Sequence, residues 1–221
     1  MSQQDWTRVD DYISAALISK DESQQATFAA NARSNLPAID VSPPQGKLLQ
    51  LLASAIGARR ILEIGTLGGY STIWLARAVG EGGKVVTFEV DPRHAEVARA
   101  NIAREGVSAR VDLRVGAALE MLPLLESERP EPFDLAFIDA DKRSNAAYFA
   151  YALKLSRPGA LIIVDNVVRE GAVADPSQTD GGALGARALF EAVAAEKRVE
   201  ATAVQTVGAK GWDGFLIARV K

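Results

Sequence analysis

The spacing of apolar positions divides the chain into helix-period and strand-period stretches that alternate along most of its length. Val9, Tyr12, Ile13, Ala16 and Leu17 fall at i, i+3, i+4, i+7 and i+8, which predicts an amphipathic helix with one buried face. A second helix is expected over residues 22–32. Residues 35–44 contain Pro37, Pro43 and Pro44, each of which disfavours helix in the residue before it. Ser42 suits an N-cap, with Pro43 and Pro44 in the first turn of a helix reaching about Ala58 and carrying Leu48, Leu51, Leu52 and Ala55 on one face. Ile61, Leu62 and Ile64 then read as a short buried strand. Gly65, Gly68 and Gly69 make a tight turn, and helix resumes at Tyr70. Further strands are expected over 84–90, 110–115, 133–139 and 160–165, the last after a turn at Arg157-Pro-Gly159. Each is followed by a helical pattern. Two last strands, over 200–207 and 213–220, have only Gly208-Ala-Lys-Gly211 between them, a hairpin turn.

Strand-helix units in succession predict an α/β fold: a Rossmann-like, doubly wound, seven-stranded sheet, mostly parallel, with helices on both faces and an antiparallel C-terminal hairpin. No repeat, low-complexity tract or long linker divides the chain, so one domain over 1–221 is expected. Of its residues 48% are hydrophobic, enough for a full core.

Composition then removes several chemistries. The absence of cysteine excludes disulfides, zinc thiolates and thiol nucleophiles, and His94 is the only histidine, too few for a multi-histidine metal site. A formal charge of -3 without a Lys/Arg stripe argues against nucleic acid as a partner. No apolar run approaches the roughly 20 residues that span a bilayer, and the polar N-terminus is unlike a signal peptide, so a soluble cytoplasmic protein with no membrane partner is expected.

Candidate chemistry centres on Arg60-Ile-Leu-Glu-Ile-Gly-Thr-Leu-Gly-Gly-Tyr-Ser71, a strand-turn-helix corner of the nucleotide-binding type. It lacks the G-x-G-x-x-G that receives a pyrophosphate. Glu63 repels a diphosphate but suits a ligand carrying an ammonium or sulfonium group, and S-adenosylmethionine carries both. Glu89, closing the next strand, is placed to accept hydrogen bonds from ribose hydroxyls. Read alone it is a solvated acid at a strand end. Small residues at Gly116-Ala117-Ala118 leave room for a flat adenine ring. Phe137-Ile-Asp139-Ala-Asp141-Lys142 and Val164-Asp165-Asn166 end strands that lie about 4.8 Å apart if adjacent, so Asp139 and Asp165 can converge on one ion. Two carboxylates and an amide oxygen make a hard site suited to Mg²⁺, with Mn²⁺ or Ca²⁺ as alternatives. Ligands of open α/β sheets bind beyond the carboxyl ends of the strands, where all these residues fall.

At these residues the chain resembles the cation-dependent class I O-methyltransferases, the group containing catechol and caffeoyl-coenzyme A O-methyltransferases. The markers run from about Ile39 onward: Leu62-Glu-Ile-Gly-Thr-Leu-Gly-Gly-Tyr-Ser71, Phe88-Glu-Val-Asp-Pro92, Phe133-Asp-Leu-Ala-Phe-Ile-Asp-Ala-Asp-Lys142, Val164-Asp-Asn166 and Asp213-Gly214. The resemblance implies that Gly65 and Ser71 contact the methionine part of the cofactor, with Glu63 and Gly69 nearby. Glu89 and Val90 would hold the ribose end, and Ala118 the adenine through its backbone. Val41 and Ser42 match a segment folding over the cofactor, so residues 1–42 would form N-terminal helices and a cover. It further implies a metal site of Asp139, Asp165 and Asn166, with Asp139 also touching the cofactor, and Lys142 as general base beside Asp139. A small phenolic acceptor, its pocket lined by loop residues 169–182, and a homodimer are implied in the same way. Two positions depart from the pattern. Ser144-Asn145 stands where relatives often have Asn-Tyr, and Gly116-Ala117-Ala118 replaces a common Gly-Asp-Ala.

A free phenol has a pKa of about 10. A divalent cation on two neighbouring hydroxyl oxygens lowers that value and orients the acceptor. The protein then aligns oxygen and methyl for in-line displacement. Three alternatives stay open on sequence alone: a methyltransferase acting on a macromolecule, a non-catalytic S-adenosylmethionine-binding protein, and a nicotinamide-dependent dehydrogenase. Glu63 and the missing G-x-G-x-x-G disfavour the last.

Overall fold

A computed structural model describes residues 2–18 and 22–221. Ser2 opens the first helix, α1 (Gln3–Leu17), through a reciprocal capping box with Asp5. Helix α2 (Glu22–Arg33) follows. An extended segment leads to Ser42, whose hydroxyl caps α3 (Pro43–Ala55), with prolines in its first turn. The chain then alternates through β1 (Arg60–Ile64), α4 (Tyr70–Ala78), β2 (Lys84–Glu89), α5 (Pro92–Arg104), β3 (Val111–Val115), α6 (Ala118–Ser127), β4 (Phe133–Ile138), α7 (Asn145–Leu155) and β5 (Ser156–Asp165). A helix α8 (Gly181–Ala195) precedes β6 (Val199–Gly208) and β7 (Gly211–Val220).

The described strands form one seven-stranded sheet in the order β3-β2-β1-β4-β5-β7-β6. Its first five strands are parallel, and β7 pairs antiparallel with both β5 and β6. The doubly wound mixed sheet expected from the sequence is therefore present. Strand alternation sorts the core into two layers. Leu62, Ile64, Ala136, Ile138, Ile162 and Val164 pack with α6, α7 and α8. Ile61, Val85, Leu135, Phe137 and Ile163 pack with α3, α4 and α5 on the opposite face. Central strands buried on both faces read in sequence as continuous apolar runs. At the far end from the site, Asp134 accepts from Arg59 N, Arg60 N and Arg157 Nε, tying together the starts of β1, β4 and β5.

Three expectations change. The apolar stripe of α1 is not a buried face: the helix buries no residue, and Tyr12 and Leu17 are each 75% exposed. The helix is held instead by polar contacts with the C-terminal hairpin, where Gln3 Nε2 donates to Gly208 O and Asp10 Oδ2 accepts from Ala209 N. Helix α3 presents Gly46, Leu49 and Ala53 inward, while Leu48, Leu51 and Ala55 are exposed. Gly46 lies against the Trp74 ring, where a Cβ would collide, so the small residues set the contact face. The turn expected at Arg157-Pro-Gly159 is instead an irregularity within β5, where its register with β4 shifts.

Candidate active site

Parallel pairing brings the carboxyl ends of β1 to β5 to one edge, and the strand order reverses between β1 and β4. There a cavity of about 860 Å³ opens. Its floor is the turn after β1. Gly65 has φ 100°, and a side chain there would strike the Asp139 carbonyl, so the close approach of the β1 and β4 ends requires glycine.

Glu89 stands at one end of the cavity. Its Oε2 accepts from Leu67 N at 2.7 Å and its Oε1 from Asp91 N at 3.0 Å, which fixes the carboxylate against the glycine turn. His94 Nδ1 lies 3.4 Å from the same Oε1. Gly116, Ala117 and Ala118 line the cavity beside it, with exposed Val90 at the mouth. Gly65, Ser71 and Val41 line the cavity as well, together with Asp40 and Tyr70.

Beyond them stand Asp139, Lys142, Tyr148, Asn166 and Arg169. Lys142 Nζ donates to Asp139 Oδ1 at 2.6 Å. Asp165, 6% exposed, sits just behind, its Oδ2 accepting from Gln45 Nε2 at 2.6 Å and its Oδ1 from Asn166 N at 2.8 Å. Ile138 pairs with Val164 across β4 and β5, so Asp139 and Asp165 follow at neighbouring strand ends. Burial, followed by the charge of Asp139, pushes the Asp165 carboxyl well above the usual carboxylate range. Asp141 does not join this pair: the strand ends before it, and its carboxylate caps the following 3-10 turn and accepts from Tyr148 OH. The turn that follows β5 holds Asn166, Arg169 and Glu170 at positive φ of 57°, 56° and 54°. Asp213 on β7 braces it, one carboxylate oxygen accepting from Val168 N, Arg169 N and Gly214 N.

Some expected site residues are placed elsewhere. Glu63 does not face the cavity. It is fully buried on the α4 side of β1, where Ser71 Oγ, Thr72 Oγ1 and Thr87 Oγ1 all donate to its carboxylate. Burial, offset in part by those donors, pushes its pKa up to about 7. Ser42 uses its hydroxyl as the α3 cap, and Gly69 is the left-handed N-cap of α4 packed towards Ala98. Neither is on the cavity wall. Of residues 169–182 only Arg169 reaches it. Asp40, Gln45, Tyr70, His94 and Tyr148 are additions that local sequence pattern did not mark.

Comparison with known proteins agrees with this architecture. A profile of the O-methyltransferase family matches residues 17–220. The catechol O-methyltransferase of Mycobacterium tuberculosis (strain ATCC 25618 / H37Rv) is 52% identical over 213 residues, covering 96% of this chain and 95% of that protein. A Bacillus cereus O-methyltransferase solved in complex with SAH superposes with a TM-score of 0.98 at 57% identity, each chain fully covered. The Streptomyces achromogenes O-methyltransferase TomG, solved with SAM, gives a TM-score of 0.96 at 49% identity over 100% of this chain and 99% of that one. The chain belongs to the O-methyltransferase family, as a class I S-adenosylmethionine-dependent enzyme of the caffeoyl-coenzyme A and catechol type.

Proposed function

We propose that this enzyme methylates a hydroxyl of a small phenolic, catechol-like acceptor with the help of a divalent cation. The observation that carries the reading is the meeting of Asp139, Lys142 and Asn166 at the cavity wall with Asp165 directly behind. The donor set fits such an ion. Asp139 and Asp165 supply carboxylate oxygens and Asn166 an amide oxygen, and each carboxylate oxygen has a second lone pair beyond the hydrogen bond it already accepts. A set of only two acids leaves positions for water and for acceptor hydroxyls, as Mg²⁺ prefers; Mn²⁺ or Ca²⁺ are alternatives. When bound, the cation lowers the pKa of the acceptor hydroxyl while the cofactor's sulfonium supplies an activated methyl.

The chain's own residues do the rest. Lys142, in its neutral amine form, takes the acceptor proton at Nζ, and the ammonium so formed is received by Asp139. Glu89 accepts from the ribose hydroxyls, Ala118 and its neighbours flank the adenine, and Val41, Gly65 and Ser71 surround the methionine part. The buried walls exclude water and align oxygen and methyl. The chain acts as one domain, and exposed Val9, Tyr12 and Leu17 of α1, beside Val204 and Val207 of β6, support pairing with a second copy.

The test combines the protein with S-adenosylmethionine and a catechol panel, in Mg²⁺ or in EDTA, and follows methylated products by mass spectrometry. Activity should require the cation and should collapse in Asp165→Ala. Full activity of that variant in EDTA would refute the cation's role.

A further inference from the structure

The amino-acid end of S-adenosylmethionine carries an ammonium, and its expected partner, Glu63, is turned away from the cavity with both oxygens taken by hydroxyls. Glu89 is fixed by Leu67 N and Asp91 N, and Asp139 is paired with Lys142. Three more acids line the cavity. Asp91 accepts from Arg93 N and the Arg93 guanidinium, and Asp141 accepts from Ser144 N and Tyr148 OH. That leaves Asp40, on the extended segment before α3, next to Val41.

Its carboxylate is set by a relay of buried amides. Asp40 Oδ1 accepts from Asn31 Nδ2 at 2.9 Å. Asn31 Oδ1 in turn accepts from Asn101 Nδ2 at 2.9 Å, and the same Nδ2 donates to Gly68 O at 2.8 Å. Asn31 and Asn101 are 3% and 0% exposed. The relay has a direction: with its oxygen held by Asn101, the Asn31 amide must turn its NH₂ towards Asp40. It also accounts for Gly68, where a Cβ would overlap the Asn31 amide. One relay thus joins α5, the glycine turn, α2 and the segment over the cavity. The nearby cation Lys210 has its Nζ donating to Ala38 O at 2.7 Å.

We infer that Asp40 is the carboxylate that receives the α-ammonium of the cofactor, with Asn31 and Asn101 as positioning residues. The inference rests on the reading that this cavity binds S-adenosylmethionine. Burial raises the pKa of Asp40, with Lys210 and Asn31 acting against that rise, as expected of an acid partly stripped of water and suited to a cationic partner.

Two ligands separate this role from a structural one. S-adenosylhomocysteine carries the ammonium; 5′-methylthioadenosine has the same thioether nucleoside without the amino-acid part. Titration calorimetry on the full chain should show Asp40→Asn weakening S-adenosylhomocysteine on the order of 10- to 100-fold, the worth of one charge-assisted hydrogen bond. 5′-Methylthioadenosine should bind as before. Asn31→Ala should show the same selectivity with a smaller loss, roughly 3- to 10-fold, and carries the test if Asp40→Asn does not fold. Equal losses for both ligands, or no loss for S-adenosylhomocysteine, would overturn the assignment. Failure of the unaltered protein to bind S-adenosylhomocysteine at all would instead overturn the cofactor reading beneath it.

Discussion

Replacing Glu63 by glutamine isolates the cost of a buried acid. Glu63 is fully buried and its pKa stands at about 7, against 4.5 for an unperturbed glutamate. The folded state therefore holds this proton more tightly than the unfolded chain does. Between the two values the native state binds more protons, so stability falls as pH rises. The penalty is absent below about pH 4.5 and fully present above about pH 7. At 1.36 kcal/mol per unit it amounts to about 3 kcal/mol. Glutamine is neutral and nearly isosteric, and the hydroxyls of Ser71, Thr72 and Thr87 can rotate to accept from its amide. Urea unfolding of both proteins at several pH values between about 5 and 8 yields a difference in which other titrating groups, Asp165 among them, cancel. Over that window the difference should move in favour of Glu63→Gln by about 2.5 kcal/mol, since part of the penalty is already present at pH 5. A difference that stays constant within about 0.5 kcal/mol, near the error of such extrapolations, would show that Glu63 is ionised without penalty.

Two other substitutions probe the far side of the site. Lys142→Met should lower kcat by about 10²- to 10⁴-fold, the usual contribution of a positioned base, while leaving S-adenosylhomocysteine affinity nearly unchanged; an unaltered kcat in steady-state assays would remove Lys142 from proton transfer. Asp213→Ala orphans the backbone N–H groups of Val168, Arg169 and Gly214, at a cost of about 2–3 kcal/mol. A thermal melt should show Tm lowered by about 5–10 °C, and a shift of less than about 1 °C would mean that the turn holds without its brace.

The strands and the acids that end them were legible because a doubly covered parallel strand is mostly apolar, so a charge closing an apolar run marks its end, although Glu63 within β1 and Asp134 at the start of β4 are exceptions. Asp139, Asp165 and Glu89 were found in this way. The orientation of Glu63 was written in the sequence too: it alternates with Leu62 and Ile64 and shares the Ile61 face, towards Ser71 and Thr72. Chemical suitability for an ammonium outweighed that parity. Periodicity identified α1 as a helix but says nothing of what covers its stripe. In α3 the larger leucines suggested the inner face, whereas close packing on Trp74 selected Gly46, Leu49 and Ala53. Asp40 had no local signal, because Asn31 acquires its direction from Asn101, 70 positions away.

The contacts that hold α1 have a consequence for the order in which the molecule can assemble. Gln3 and Asp10 find their partners in the turn between β6 and β7, about 200 positions later, and Lys210 in that turn reaches back to Ala38. During synthesis the first helix emerges long before anything exists for it to dock on. Contacts so distant in sequence form late, because the intervening chain must be ordered first. The segment beside the cavity is already tied to α2 and α5 through Asn31 and Asn101, and it gains its remaining tether, Lys210 at Ala38, only once the last hairpin has formed.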